Sequence, residues 1–135
     1  MTALLLFASV LIFPVGVLTA LAVTSRARGD QKRPEEKGLS LLRSWLSPEQ
    51  AKLWDSRKHF YVVGSETGTR YRIRYGTAMN VEELDSTGKT IITWCFAPEG
   101  DLVVGDVLLA QKIALETMER GALAAANRRV LPGTR

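Results

Sequence analysis

The sequence predicts an α+β protein in which a single N-terminal transmembrane helix is followed by a small α-β-β-β-β-α domain with an antiparallel meander sheet packed by helices. Three observations lead to this prediction. The first two dozen residues carry no charge, although the 135-residue chain has 18 Lys and Arg and 14 Asp and Glu residues. Short segments of alternating polarity, separated by turn sequences, occupy the middle of the chain. An amphipathic helical pattern follows them.

Residues 1–24 are predicted to form the membrane-spanning helix. As a helix, residues 3–23 would extend about 31 Å, close to the roughly 30 Å hydrocarbon core of a bilayer. Pro14 predicts a kink near the centre, and Gly16 and Ala20 predict close packing against another transmembrane helix. Because the segment has no ionisable side chain, a proton relay or a haem-ligating histidine within it is excluded.

The residues after the span determine its predicted orientation. Four juxtamembrane cations occur there: Arg26, Arg28, Lys32 and Arg33. By the positive-inside rule they stay in the cytoplasm, among anionic lipid headgroups. This predicts a single-pass inner-membrane protein with its N-terminus outside and its C-terminal domain in the cytoplasm. The alternative is a cleaved signal peptide, since Ala20-Leu21-Ala22 resembles a cleavage site, but no basic residue precedes the apolar stretch.

Residues 25–46 are predicted to be a basic linker that ends in a short apolar segment. Pro34 argues against a continuous helix through the linker. The apolar residues between 39 and 46 either rest at the membrane interface or begin the core, and we favour the core.

The soluble domain is predicted to cover residues 47–128 and to begin with a helix. Ser47 can cap this helix, Pro48 suits its first position and Gln50 completes a capping box. The helix is expected to end near Lys58.

Four strands are predicted next, over residues 60–64, 69–75, 79–84 and 90–96, with turns at 65–68 and 85–89. The second strand places three arginines on one face and Tyr71, Ile73 and Tyr75 on the other. Apolar residues on both faces of the fourth strand predict a central position, covered on both sides. A long helix is expected from about Asp106 to Asn127, followed by a flexible tail over 129–135.

The residues that most often carry chemistry do not form a convincing site. His59 and Cys95 are the only histidine and cysteine, and such a pair makes a nucleophile only within hydrogen-bond reach. Two such ligands do not make a standard zinc site. The carboxylates of Glu82, Glu83 and Asp85 are interpreted as a solvated strand end. We therefore predict no catalytic, cofactor-binding or metal-binding residue.

The basic residues of the domain are candidates for binding a partner: Arg57, Lys58, Arg70, Arg72 and Arg74. Three arginines along one strand face suit an acidic protein, lipid headgroups or a phosphate backbone. Base stacking needs aromatic side chains on the same face as the cations, and within the second strand they lie on opposite faces, which disfavours nucleic acid. A merely solvated sheet face is the remaining alternative.

Residues 46–127 resemble a small domain of uncharacterised bacterial proteins. The resemblance lies in the following segments: Phe60-Tyr61-Val62-Val63-Gly64-Ser65, Gly68-Thr69-Arg70-Tyr71-Arg72-Ile73, Met79-Asn80-Val81 with Leu84-Asp85, Cys95-Phe96-Ala97-Pro98 and residues 105–116. It implies a compact fold and no functional residue.

Taken together, these features predict a non-catalytic, membrane-anchored accessory or scaffold subunit of a larger bacterial membrane complex, for example a respiratory or photosynthetic one. Its predicted partners are integral-membrane subunits and anionic lipid headgroups, without a cofactor. The alternative is a membrane-tethered binding module that recruits nucleic acid or an acidic protein through its arginine-rich sheet face. The mild net charge of +4 is compatible with both.

Overall fold

A computed structural model describes residues 33–132. They contain helix α1, described over residues 33–44, helix α2 (Pro48–Arg57), strands β1 (His59–Val63), β2 (Arg70–Arg74), β3 (Val81–Leu84) and β4 (Thr90–Cys95), helix α3 (Val104–Ala124) and strand β5 (Asn127–Val130). The chain divides into two units, and the description below concerns the second, Glu35–Arg135. The fold of this unit is a small α+β domain.

The five strands form one antiparallel sheet in the order β1-β2-β3-β4-β5, which is a simple meander. Each connection from β1 to β4 is a short turn, as antiparallel neighbours allow. Two of these turns use glycine in the left-handed region, Gly68 at φ 72° and Gly88 at φ 85°, where a side chain would be strained. The register between β1 and β2 pairs Phe60 with Ile73 and Tyr61 with Arg72.

The hydrophobic core lies between the helices and one face of the sheet, which we call the inner face. Phe60 and Ile73 of the sheet are fully buried there, together with Leu42 of α1 and Leu108 and Leu115 of α3. Trp54 of α2 packs edge-on against Phe60 with ring centroids 6.1 Å apart. All three described helices therefore contribute to a single core on one side of the sheet.

Helix α1 packs against the start of α3 through two glycines. A methyl group at Gly105 would overlap the backbone of Gly38 and Leu39, so the two helices touch backbone to backbone. Val103, the N-cap residue of α3, offers no side-chain hydrogen bond. Instead the Glu35 carboxylate accepts a hydrogen bond from the Val104 N–H at 3.2 Å. A side chain of α1 thus supplies the negative charge that a helix N-terminus favours.

Several predicted elements are confirmed. Ser47 and Gln50 form the capping box of α2, with Pro48 at the first position. The four predicted strands occur within one or two residues of their expected bounds, and the long helix follows them.

Three elements differ from the sequence prediction. Residues 33–44 are helical, so Pro34 does not prevent a helix where burial of Gly38 and Leu42 stabilises one. The final helix ends at Ala124, and Asn127–Val130 forms strand β5 where a loose tail was expected. Strand β4 lies inside the sheet, between β3 and β5, but the described helices cover only its inner face. Its outward residues Ile91, Thr93 and Cys95 are half-buried.

The predicted membrane segment lies outside the described residues, as do Pro14, Gly16, Ala20, Arg26, Arg28 and Lys32. Arg33, the last of the four juxtamembrane cations, is described and exposed. Between residues 33 and 132, no helix is long and apolar enough to cross a bilayer.

Two glycines of α3 should respond to alanine in opposite directions. At Gly121 an added methyl group meets no atom within 4 Å, so Gly121→Ala should raise the free energy of unfolding by about 0.5–1 kcal/mol through its better helix propensity. At Gly105 the same substitution should lower it by about 1–3 kcal/mol, because the methyl group overlaps α1. Urea unfolding measures both, and a stabilised Gly105→Ala variant would contradict the described helix contact.

Candidate functional site

The face of the sheet opposite the core, which we call the outer face, has no described helix packed on it. Residues that pair directly across antiparallel strands share a face, and the registers define one row across the entire sheet: Tyr61, Arg72, Glu82, Thr93 and Arg129. Neighbouring rows begin with His59 opposite Arg74 and with Val63 opposite Arg70. All three arginines of β2 therefore point outward, as predicted, and Arg129 of β5 joins them.

A buried carboxylate holds two of these arginines in place. Glu82 is only 7 % exposed. One of its oxygens accepts a hydrogen bond from Nε of Arg72 at 2.5 Å, and the other forms an ion pair with Nε of Arg74 at 2.9 Å. Arg72 also donates to the Thr90 hydroxyl at 3.1 Å. The nitrogens of Arg72 that make these bonds are therefore not available to a partner. The side chain of Arg74 is 53 % exposed and, apart from this ion pair, makes no hydrogen bond within residues 33–132.

The third arginine rests on an aromatic ring. The Arg70 guanidinium lies 5.3 Å from the centroid of Tyr61, within the range of a cation–π contact. His59 stands edge-on to the same tyrosine at 5.5 Å. Burial, and then the nearby Arg72 cation, lower the pKa of His59, so its imidazole is neutral at neutral pH. Within residues 33–132, Arg70 forms no ion pair and is exposed.

Two properties of this face could not be found by considering β2 alone. Tyr61 and His59 share the face with the arginines because β1 pairs with β2 in this register. The separation of cations and aromatics therefore holds within β2 but does not extend to the neighbouring strand. Glu82 was interpreted as part of a solvated strand end, yet it is buried between two guanidinium groups. Its outward position beside Arg72 is a consequence of strand pairing, which the alternation of a single strand does not reveal.

The remaining basic candidates lie elsewhere. Lys58 ends α2 in the left-handed conformation, and its Nζ lies 5.6 Å from the Trp54 ring, on the side of the helices. Arg57 is exposed in the last turn of α2. Neither residue lies beside the arginines of β2 on the outer face.

The only histidine and cysteine are not brought together. His59 lies on β1 and Cys95 on β4, three strands away. At about 4.8 Å per strand they are roughly 14 Å apart, too far for proton transfer between them. The carboxylates also diverge. Glu82 points outward, Glu83 accepts from the Trp94 indole N–H at 2.9 Å, and Asp85 caps the turn that follows. Among residues 33–132 no three metal-ligating side chains cluster.

A second buried carboxylate has a structural role. Glu119 of α3 is fully buried, and it accepts from the Tyr71 hydroxyl at 2.7 Å and from the backbone N–H groups of Glu66 and Thr67 at 2.9 and 2.8 Å. Burial alone would raise its pKa, but hydrogen bonds from Thr67, Tyr71 and these N–H groups outweigh burial and hold the pKa of Glu119 below its usual range. Burial and Glu119 in turn raise the pKa of Tyr71.

The contact around Glu119 is reciprocal. Helix α3 kinks at Met118, which has non-helical φ and ψ of −148° and 49°. At the kink the Leu115 carbonyl accepts from the Ser65 N–H at 3.0 Å, and Glu66 accepts from the Arg120 N–H at 3.2 Å. The predicted turn between β1 and β2 is thus confirmed, and it satisfies backbone groups that the kink leaves without helical partners.

An apolar cleft of about 360 Å³ opens beside α3. Small and apolar side chains line it, including Ala114, Ala122 and Phe96. Gln111 is the polar residue of the lining, and its amide is already bonded to Asn80 and to the Phe96 carbonyl. The cleft offers apolar surface without a free polar group to orient a small ligand.

No protein-family model, curated protein or solved structure matches the chain. The identification of a candidate site therefore depends on the geometry of the outer face.

The depressed pKa of Glu119 should appear in the pH dependence of stability. A lowered folded-state pKa contributes stability that is complete above the unfolded value, here 4.5, and is lost as pH falls through the folded pKa. We expect Glu119→Gln to cost about 2 kcal/mol at pH 7, because the carboxylate and part of its hydrogen bonding are lost. This difference should shrink below pH 4.5. Urea unfolding from pH 7 to pH 3 measures it, and a difference that does not depend on pH would contradict the assignment.

Glu82 should stabilise the domain as well. Glu82→Gln removes the charge between Arg72 and Arg74 and should lower the free energy of unfolding by about 1–2 kcal/mol. Asp55→Asn is the matched control, since it breaks the exposed Arg43–Asp55 pair and should change stability little. Equal effects of the two substitutions in urea unfolding would show that the Glu82 pairs are no stronger than a surface ion pair.

Proposed function

We propose that the chain is a non-catalytic accessory or scaffold subunit of a larger bacterial membrane complex. In this proposal residues 1–24 span the inner membrane with the N-terminus outside, and the α+β domain lies in the cytoplasm. The partners are integral-membrane protein subunits, with anionic lipid headgroups in contact with the juxtamembrane cations. The complex belongs to a class such as the respiratory or photosynthetic assemblies.

The observation that carries the proposal is the outer face of the sheet. Within residues 33–132, helices pack on the inner face alone, and the outer face presents exposed Arg70, Arg74 and Arg129. Tyr61 and Glu82 hold the first two of these arginines in place. A sheet face with ordered, outward-pointing guanidinium groups is suited to contact with another macromolecule, because arginine is enriched at protein interfaces. In this proposal the outer face, on the side opposite the core, is the surface through which the domain contacts its partner.

The membrane tether is supported by the sequence. The stretch 3–23 is free of charge and long enough to cross a bilayer. Gly16 and Ala20 give this segment small residues at positions where neighbouring helices pack closely. An anchor of this kind, joined to a domain with a binding surface, is the organisation expected of a small subunit that stabilises a larger assembly.

The alternative proposal is a membrane-tethered module that recruits nucleic acid or an acidic protein. The exposed guanidinium groups of Arg70 and Arg74 favour it, since cations that are free to bind confer strongly salt-dependent affinity. In this case the partner would be a soluble macromolecule instead of a membrane subunit.

Purification from native membranes tests the leading proposal. A tagged chain, expressed in its own host and extracted with a mild non-ionic detergent, should remain in the membrane fraction after an alkaline wash. It should then co-purify with larger integral-membrane proteins at constant stoichiometry through size exclusion, as identified by mass spectrometry. A monodisperse single species, or recovery in the aqueous fraction, would overturn the proposal.

A matched variant separates anchoring from assembly. Gly16→Leu with Ala20→Leu keeps the segment apolar and so preserves membrane insertion, but it removes the small surface that allows close helix packing. We expect this variant to stay in the membrane fraction and to lose most of its partners. Full retention of partners would show that helix packing at Gly16 and Ala20 does not contribute.

A further inference from the structure

We propose that the outer face binds an extended acidic segment of a partner protein, with carboxylates at positions i and i+4 received by Arg70 and Arg74. The proposal deepens the accessory-subunit function and rests on it, because it identifies the surface and the chemistry through which the domain holds its partner. The site consists of Arg70 and Arg74 as the binding cations, with Tyr61 and Glu82 as the residues that position them.

The spacing of the two arginines follows from the strand that carries them. Arg70 and Arg74 are at the two ends of β2 and on the same face, so about 13 Å of extended backbone separates them at roughly 3.3 Å per residue. An extended peptide has the same repeat, and its residues i and i+4 also share a face. Acidic residues at these two positions therefore match both arginines at once.

The centre of the site discriminates against a third carboxylate. Arg72 lies between Arg70 and Arg74, and part of its guanidinium is occupied: Nε bonds to Glu82, and a terminal nitrogen bonds to the Thr90 hydroxyl. A carboxylate at position i+2 would find fewer open donors on Arg72, whose side chain is 27 % exposed, than on Arg74, whose side chain is 53 % exposed. An uncharged residue is expected at i+2, which makes the recognised pattern acidic, any, uncharged, any, acidic.

Both binding arginines are held before a partner arrives. Glu82 holds Arg74 through an ion pair with Nε at 2.9 Å. The terminal nitrogens of Arg74 stay available for a bidentate pair with a carboxylate. The ring of Tyr61 lies under the guanidinium of Arg70. Because less side-chain freedom is lost on binding, such preordering strengthens an interaction that would be weak between mobile surface charges.

The same contacts argue against nucleic acid. Base stacking requires an open aromatic face beside the cations. Tyr61 is the aromatic residue nearest the arginines, and the Arg70 guanidinium covers its ring. The His59 ring is half-buried and edge-on to Tyr61. The outer face thus offers separated cations along a strand, which suits carboxylates on an extended chain better than stacked bases.

Fluorescence anisotropy with the full chain in neutral detergent micelles tests the proposal. The probe is a labelled peptide with the core Glu-Thr-Ser-Thr-Glu between glycines, and the comparison peptide has the same composition with the two Glu adjacent. We expect the spaced peptide to bind about threefold tighter or better, because only it reaches both arginines. Peptides of equal affinity would overturn the predicted spacing.

Charge-reversal variants locate the site. Arg70→Glu with Arg74→Glu should weaken binding of the spaced peptide about tenfold or more, whereas Lys37→Glu with Lys52→Glu, on the exposed helix surface, makes the same change in net charge and should alter affinity less than about twofold. Arg70→Gln with Arg74→Gln removes the two charges without reversing them and should weaken binding of the spaced peptide less. Thermal unfolding of each variant verifies that it is folded.

Competing ligands distinguish the other classes of partner. A thymidine oligonucleotide, or vesicles containing phosphatidylglycerol, that bound more tightly than the spaced peptide and lost affinity in the Arg70/Arg74 variant would overturn the proposal. Co-purification of the Arg70/Arg74 variant with a full set of membrane partners would also overturn the proposed peptide site, but it would leave the accessory role intact. Failure of the unaltered chain to co-purify with any partner would instead overturn the accessory role.

Discussion

The buried carboxylate of Glu119 fixes the position of the strand on which the outer face depends. It ties the turn between β1 and β2 to helix α3, through the Tyr71 hydroxyl and two backbone N–H groups. Tyr71 belongs to β2, the strand that carries Arg70, Arg72 and Arg74. Because side chains alternate along a strand, anchoring Tyr71 on the inner face determines that its neighbours point outward. One electrostatic contact inside the core thus sets the orientation of the arginines on the opposite face.

The outer face then depends on a second buried carboxylate, that of Glu82. Each of the two carboxylates is removed from water and is compensated by several donors, which is the condition under which a buried anion is tolerated. Glu119 joins a turn to a helix, and Glu82 joins two side chains of one strand across the sheet. Glu119 holds helix α3 against the turn between β1 and β2, and Glu82 holds the side chains of Arg72 and Arg74 in place.

Local patterns in the sequence were sufficient for most of the fold. The Ser47–Gln50 capping box, the alternation of β2 and the glycine turns each depend on residues close in sequence, and each occurs as predicted. Strand β5 was not predicted, because Asn127–Val130 contains two arginines and its pairing with β4 is a tertiary contact. The candidate site was found in part, since the arginines of β2 are recognisable by alternation. The roles of Tyr61 and Glu82 follow only from cross-strand register, which one strand does not encode.

The edge position of β5 has a consequence for self-association. An unpaired edge strand exposes backbone groups that can join the sheets of two molecules, and natural proteins oppose this with short, charged edges. Strand β5 is four residues long and carries Arg128 and Arg129 side by side, both exposed. Two copies approaching edge to edge would bring four like charges together. Within the described part of the chain, the sheet therefore ends in a strand that resists edge-to-edge association.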